Sequence, residues 1–124
     1  MAFNGIQTNK VLKYVKKKYE TEPEFLWRKF PNNAILRHNK NSKWYAALLN
    51  ISPKKLGIDG NENIDILNLR CDPLVINFIM DGKNFFPGYH MNKSHWVTIV
   101  LNGAIKDTKL FSLIDASYNL TADK

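Results

Sequence analysis

The run Pro87-Gly88-Tyr89-His90-Met91-Asn92-Lys93-Ser94-His95-Trp96-Val97-Thr98-Ile99-Val100-Leu101 decides how the rest of the chain is read. Trp96 to Leu101 is apolar or β-branched throughout, the pattern of a mostly buried strand. With a side-chain period of 2, Val97, Ile99 and Leu101 share one face with His95 at its mouth, and Trp96, Thr98 and Val100 share the other. Two geometries lead into this strand. Asn92-Lys93 could close a two-residue hairpin, because Asn tolerates positive φ. His90 would then oppose His95 and Tyr89 would oppose Trp96, with Cβ atoms roughly 4.5–5.5 Å apart. The other geometry is a single helical turn capped by the Asn92 side chain. Of the two, the hairpin is the favoured reading.

Working backwards, Asp72-Pro73 is a helix start, an acidic N-cap followed by proline at the first helical position. That helix runs from Leu74 to about Asp81, with Gly82 as C′ residue. Ile64 to Arg70 before it reads as a strand. Ala34–His38 and Lys43–Ile51 read as a hairpin across the polar loop 39–42. The second arm puts Tyr45, Ala47, Leu49 and Ile51 on one face and Trp44, Ala46, Leu48 and Asn50 on the other. Both faces are largely apolar, so this strand belongs inside a sheet. Pro53–Asn63 is a turn region. Near the N-terminus, Asn4 with Gln7 has capping-box spacing. Val11, Leu12, Val15 and Tyr19 then form the apolar stripe of an amphipathic helix, with lysines outside it. Thr21–Pro31 is a proline-bracketed connector whose aromatics read as buried anchors. Towards the C-terminus, Asp107 caps a last helix with Leu110, Leu113, Ile114, Ser117 and Tyr118 facing inward.

A chain of 124 residues with 44% hydrophobic content is expected to form one domain, residues 1–124, with a core that needs no staples. The lone Cys71 cannot form an internal disulfide and reads as a small buried hydrophobe. With no apolar run long enough for a signal peptide or a membrane span, the expected compartment is the cytoplasm.

Charge is unevenly distributed. The net charge is +7, from 18 Lys and Arg against 11 Asp and Glu. Between Phe25 and Ile58 there is no acidic residue, while Arg28, Lys29, Arg37, Lys40, Lys43, Lys54 and Lys55 are all basic. The remainder of the chain is balanced, so the whole excess sits in one block. A localised cationic block suits a polyanion, because binding releases the counterions condensed on phosphates.

Several segments together resemble the MmcQ/YjbR family of small bacterial proteins. They are Tyr89-His90-Met91-Asn92-Lys93-Ser94-His95-Trp96, Thr21-Glu22-Pro23-Glu24 with Trp27 and Phe30-Pro31, Arg37-His38, Lys43-Trp44-Tyr45-Ala46, Leu69-Arg70-Cys71-Asp72-Pro73 and Ser117-Tyr118-Asn119-Leu120. Gly88 stands where the resemblance leads one to expect Ala, Arg70 where it suggests Lys, Tyr45 where it suggests Phe, and Leu26 where it suggests Pro. The resemblance implies an α+β domain in which a mainly antiparallel sheet of about five strands is covered on one face by three helices. This is the YjbR-like fold, akin to secretion chaperones and CyaY. It also implies a DNA-binding role through two wing-like β elements.

Mapped onto this chain, the wings fall on the loops Asn39–Lys43 and Pro53–Asn63. Arg37, Lys40, Lys43, Lys54 and Lys55 are then expected to touch phosphates, and Trp44 or His38 to stack or reach a groove. Such contacts position a protein without reading sequence. Two other classes compete. One is a ligand, metal or enzymatic site around His90 and His95, with Tyr89, Lys93 and His38 nearby. The histidine pair lacks an identifiable third metal ligand, and no nucleophile, base and orienting group come as a set. The other is a protein-interaction module using an apolar sheet face around Trp44 and Trp96. No catalytic residue and no cofactor is expected, and a monomer is the default.

Overall fold

A computed structural model describes residues 5–122. In chain order the elements are α1 (Ile6–Tyr19), β1 (Ala34–Arg37), β2 (Trp44–Ile51), a 3-10 turn (Pro53–Leu56), β3 (Ile64–Arg70), α2 (Pro73–Ile79), β4 (Phe85–Pro87), β5 (Trp96–Val100) and α3 (Asp107–Thr121). The strands form one sheet in the order β1-β2-β3-β5-β4, and every neighbouring pair is antiparallel. The fold is therefore α+β, with five strands and three α-helices among the described residues. Among the described residues no helix is long and apolar enough to cross a membrane.

All three helices pack on one face of the sheet. Val11 and Val15 of α1, Ile76 of α2 and Leu110 and Ile114 of α3 share a buried cluster with Leu36, Leu48, Leu67, Leu69, Val97 and Ile99. The alternation in β5 predicts this: Val97, Ile99 and Leu101 join the helix-side cluster, and Val100 joins a smaller one on the opposite face. Ser117 of α3 pins helix to sheet, accepting from the Arg70 N–H at 2.9 Å and donating to the Tyr45 carbonyl at 2.5 Å.

The faces of β2 depart from simple alternation. Its register with β1 shifts between Leu36 and Arg37, so that Ala46 pairs with Leu36 but Trp44 with Arg37. Tyr45 is the extra residue of a β-bulge. It turns with Ala46 and Leu48 into the helix-side core, and Trp44 swings to the far face beside Ala47 and Leu49. Period-2 reading cannot detect one inserted residue.

The entry into β5 is the helical turn, not the hairpin. The ladder of β4 and β5 pairs Phe85 with Ile99, Phe86 with Thr98 and Pro87 with Val97. This register is one residue away from that of an Asn92-Lys93 hairpin, and the paired strand stops at Pro87. Asn92 instead caps a turn, with Oδ1 accepting from the Ser94 N–H at 2.9 Å and its carbonyl accepting from the His95 and Trp96 N–H groups. His90 and His95 therefore do not face each other across strands. Gly88 has a local reason to be glycine, because an added Cβ would lie 2.7 Å from Trp96 Cβ and 2.9 Å from its carbonyl oxygen.

Three helix ends also differ from expectation. Asn4 lies outside the described residues, and Gly5 is the N-cap of α1. Gln7 reaches across the fold instead, donating to the Ile105 carbonyl and accepting from the Gly103 N–H. In α3, Lys106 is the N-cap and Asp107 the first helical residue, bonded to Lys10 and Gln7. Helix α2 has Asp72 as cap and Pro73 first, as predicted, but ends at Ile79. Gly82, with φ of 68°, sits beyond it in a turn held by the Asp81 carboxylate.

Candidate nucleic-acid interface

The face of the sheet away from the helices is covered at two places and open between them. A cleft of about 630 Å³ lies in the gap. Its floor is Ala47, Leu49 and Ile51 of β2 with Asn68 of β3. One wall is the connector before β1, which carries Trp27, Phe30 and Asn33. The other is the turn Tyr89-His90-Met91, and Lys55 from the 3-10 turn stands at the rim.

Each part is held by identifiable bonds. The connector runs beside β1 as a two-residue edge: Glu24 and Ile35 exchange backbone bonds at 3.0 and 2.9 Å. The Arg37 guanidinium grips the Glu24 carboxylate, with Nε 3.0 Å and Nη2 3.1 Å from its oxygens. Two turns then close over Trp27–Phe30 and Phe30–Asn33, and Asn33 Oδ1 accepts from the Asn50 N–H at 2.8 Å. This path brings Trp27 edge to face with Trp44, ring centroids 6.0 Å apart at 88°.

The opposite wall hangs on a buried polar pair. Asn68 and Thr98 are cross-strand partners on the open face, both fully buried. Thr98 Oγ1 accepts from the Tyr89 N–H at 2.7 Å and donates to Asn68 Oδ1 at 2.5 Å, while Asn68 Nδ2 donates to the Tyr89 carbonyl at 3.0 Å. Both polar backbone atoms of Tyr89 are thus fixed to the sheet. His90 follows with φ of 59°, and Lys93 Nζ folds back onto the Gly88 carbonyl.

Among the described residues, no Asp or Glu lines the cleft. Most of its lining comes from the acid-free block, which supplies one wall, most of the floor and the rim. Lysines flank both ends of β2: Lys40 and Lys43 in the turn before it, Lys54 and Lys55 in the 3-10 turn after it. At about 3.3 Å per residue, the two groups stand on the order of 25 Å apart along the strand.

The family model for YjbR matches residues 16–120, from the last turn of α1 to nearly the end of α3. The chain belongs to the YjbR family. It is 47% identical to the Bacillus subtilis protein YyaQ over 111 residues, 90% of this chain and 94% of that one. It is 33% identical to Escherichia coli YjbR over 58 residues, 46% and 49% of the two chains. A Pseudomonas syringae crystal structure superposes with a TM-score of 0.87 at 40% identity, covering 91% of this chain and 97% of that one. Deinococcus radiodurans DR2400 superposes at 0.71 with 25% identity, covering 96% and 81%.

In this YjbR protein the residues singled out from sequence separate into groups. Trp44, Lys55, Tyr89, His90 and Met91 meet around the cleft. Lys40 and Lys54 are exposed on their loops; Lys43 is exposed beside Trp44. Arg37 is paired with Glu24.

His38 is on the other side of the sheet, buried, with its ring stacked on Tyr118 at 3.9 Å. Among the described residues its Nε2 has no hydrogen-bond partner. It cannot reach a groove or a base from there. Asn92, Lys93, His95 and Trp96 build the turn rather than the cleft. Among the described residues, no three His, Cys, Asp or Glu side chains come together where they could hold a metal ion. Cys71 is buried, and burial pushes its thiol up despite a backbone bond from Asp72.

Sequence reasoning missed Asn68 and Thr98 as a pair, and it took Trp27 and Phe30 for core anchors. A polar Asn within Ile64–Arg70 is the only hint of the first. The second needed the path of an irregular connector, for which no periodicity exists.

Proposed function

We propose that this YjbR protein binds DNA through the open face of its sheet, mainly by phosphate contacts and with little sequence selectivity. The observation that carries the reading is the placement of the acid-free block, which lines a cleft free of carboxylates and sets lysines at both ends of β2. Cations beside the cleft attract phosphates over a Debye length of roughly 8–10 Å, and counterion release supplies the affinity. No recognition helix enters this face, so the groove edges of paired bases have no reader and contacts to a duplex fix position alone. Lys40 is set apart, because its loop is tied to the helix side, Asn39 donating to the Tyr19 carbonyl at 2.8 Å and Asn41 to the Thr121 carbonyl at 2.7 Å. Lys43 stands beside Trp44, and Lys54 and Lys55 head the set. Their 3-10 turn is fixed by Pro53 at its first position and ended by Gly57 at φ of 77°.

The test compares two charge reversals for binding a random-sequence duplex. Lys54→Glu with Lys55→Glu alters the proposed face. Lys13→Glu with Lys17→Glu makes the same change on α1, behind the sheet. The first pair should weaken binding far more than the second. Equal weakening would mean generic cationic attraction and no located site.

A further inference from the structure

We infer that the cleft takes an unpaired nucleobase together with its phosphate, so that the protein prefers single-stranded to duplex nucleic acid. The inference rests on the phosphate-binding reading above and narrows it to a substrate class.

The first ground is how the aromatic rings meet. Behind the sheet stacked and edge-on pairs mix: Tyr14 stacks on Phe111 at 4.1 Å, Tyr19 and His38 stack on Tyr118 at 3.7 and 3.9 Å, and Tyr45 stands edge-on to Tyr19, His38 and Tyr118. At the cleft, among the described residues, every ring pair is edge-on. Trp27 meets Trp44 at 88°, and Tyr89 meets His90 at 69° with centroids 4.1 Å apart. Edge-to-face pairs leave ring faces available for a third planar group, and every base has a π-face to offer. Two such pairs stand on opposite walls of one cleft.

The second ground is the amide arrangement. Asn33 uses its Oδ1 on the Asn50 N–H, which leaves its NH2 group as donor. Asn63 uses its Nδ2 on Asn50 Oδ1, which leaves its own oxygen as acceptor. Both line the cleft. One donor and one acceptor beside an apolar floor match the polar edge of a base that is free of its partner. In a duplex that edge is consumed by pairing, and the ring faces are covered by neighbouring pairs. Lys55 at the rim supplies the cation for the attached phosphate. The volume of about 630 Å³ lies within the ordinary range for small-ligand sites, and is too small for a duplex cross-section.

A free nucleotide carries the same ring and phosphate as one residue of a strand, so the test separates the two sources. Tryptophan emission is titrated with a thymidine decamer, a random 16-base-pair duplex and thymidine monophosphate, at low salt. The decamer should bind at least about 10-fold tighter than the duplex and quench emission. Trp44→Leu should abolish most of that preference, as loss of one stacked base does. Trp27→Leu, on the connector, serves as a second variant should Trp44→Leu fail to fold.

Equal binding of decamer and duplex with unchanged emission would overturn the base pocket while leaving phosphate binding intact. A decamer no tighter than the monophosphate would assign the cleft to a free nucleotide and overturn the single-strand preference. No binding by any of the three would remove both the inference and the reading beneath it.

Discussion

Asn68, a fully buried polar residue in the middle of β3, donates its side-chain amide to the backbone carbonyl of Tyr89 at 3.0 Å. With Thr98 it closes a ring of three hydrogen bonds that fixes the turn forming one wall of the cleft. Such a pair within an apolar sheet is tolerated only because every polar atom in it is satisfied.

Removing one member should therefore be costly. Asn68→Ala strips partners from the Tyr89 carbonyl and the Thr98 hydroxyl, each worth roughly 1–3 kcal/mol when left unpaired. A loss of about 2–4 kcal/mol is expected in urea denaturation, with hydrogen exchange at Tyr89 accelerating more than at the core of β5. A loss below about 1 kcal/mol would mean that the turn is held by something else.

The helices are locked by a second polar cluster. Asp115 of α3 accepts from Tyr14 at 2.8 Å, Tyr19 at 2.5 Å and Lys18 at 2.9 Å, all on α1. Burial raises the Asp115 carboxyl, but the bonds from Tyr19, Lys18 and Tyr14 outweigh it and hold the group below the usual carboxylate range. A carboxyl depressed by folding adds stability above its unfolded pKa of about 3.9 and loses it as pH falls through the folded value. Tyr19 runs the opposite way. Burial and the bond to Asp115 raise its phenol, so its contribution holds below about pH 10 and falls as pH rises further.

Asp115→Asn should cost about 1–3 kcal/mol at pH 7. Its deficit against the wild type should shrink below about pH 4. Denaturant unfolding between pH 7 and pH 2 measures it, and a deficit constant across that range would contradict the assignment.

Ile99 is fully buried in the helix-side core, paired with Leu67 on one side and Phe85 on the other. Ile99→Ala is expected to lose about 2–5 kcal/mol, the range for a buried large-to-small change. Val75→Ala on the outer side of α2, where the side chain is 39% exposed, should stay within about 0.5 kcal/mol. Similar losses at both positions would mean that the faces of β5 are misassigned.

The sheet and helices were legible because their signals are local and periodic. Val97, Ile99 and Leu101 announce a buried face by alternation, and Asp72-Pro73 announces a helix by its cap. What was not legible depends on single insertions and on partners distant in sequence. The bulge at Tyr45 moves Trp44 to the cleft without leaving any mark on the residue types. His38 looked like a candidate because it sits in the basic block, yet the same strand end turns it into the aromatic cluster behind the sheet. For the cleft, sequence supplied the charge of one side in the acid-free block and the other side in Tyr89-His90-Met91. Only the pairing of β2 with β3, and of β3 with β5, brings the two together.

The salt dependence of binding tests the central claim most directly. Affinity for a random-sequence duplex is measured from about 50 to 200 mM salt, the range over which phosphate contacts lose most of their strength. The slope of log K against log salt should flatten by about 0.9 for each phosphate contact removed. Replacing Lys54 and Lys55 by Glu should therefore change it by close to two such steps. Replacing Lys13 and Lys17 should leave the slope nearly unchanged, since only long-range steering is affected. Wild-type dissociation constants are expected at roughly 10⁻⁴–10⁻⁶ M. Identical slopes for the two variants, or no binding even at the lowest salt, would contradict the account.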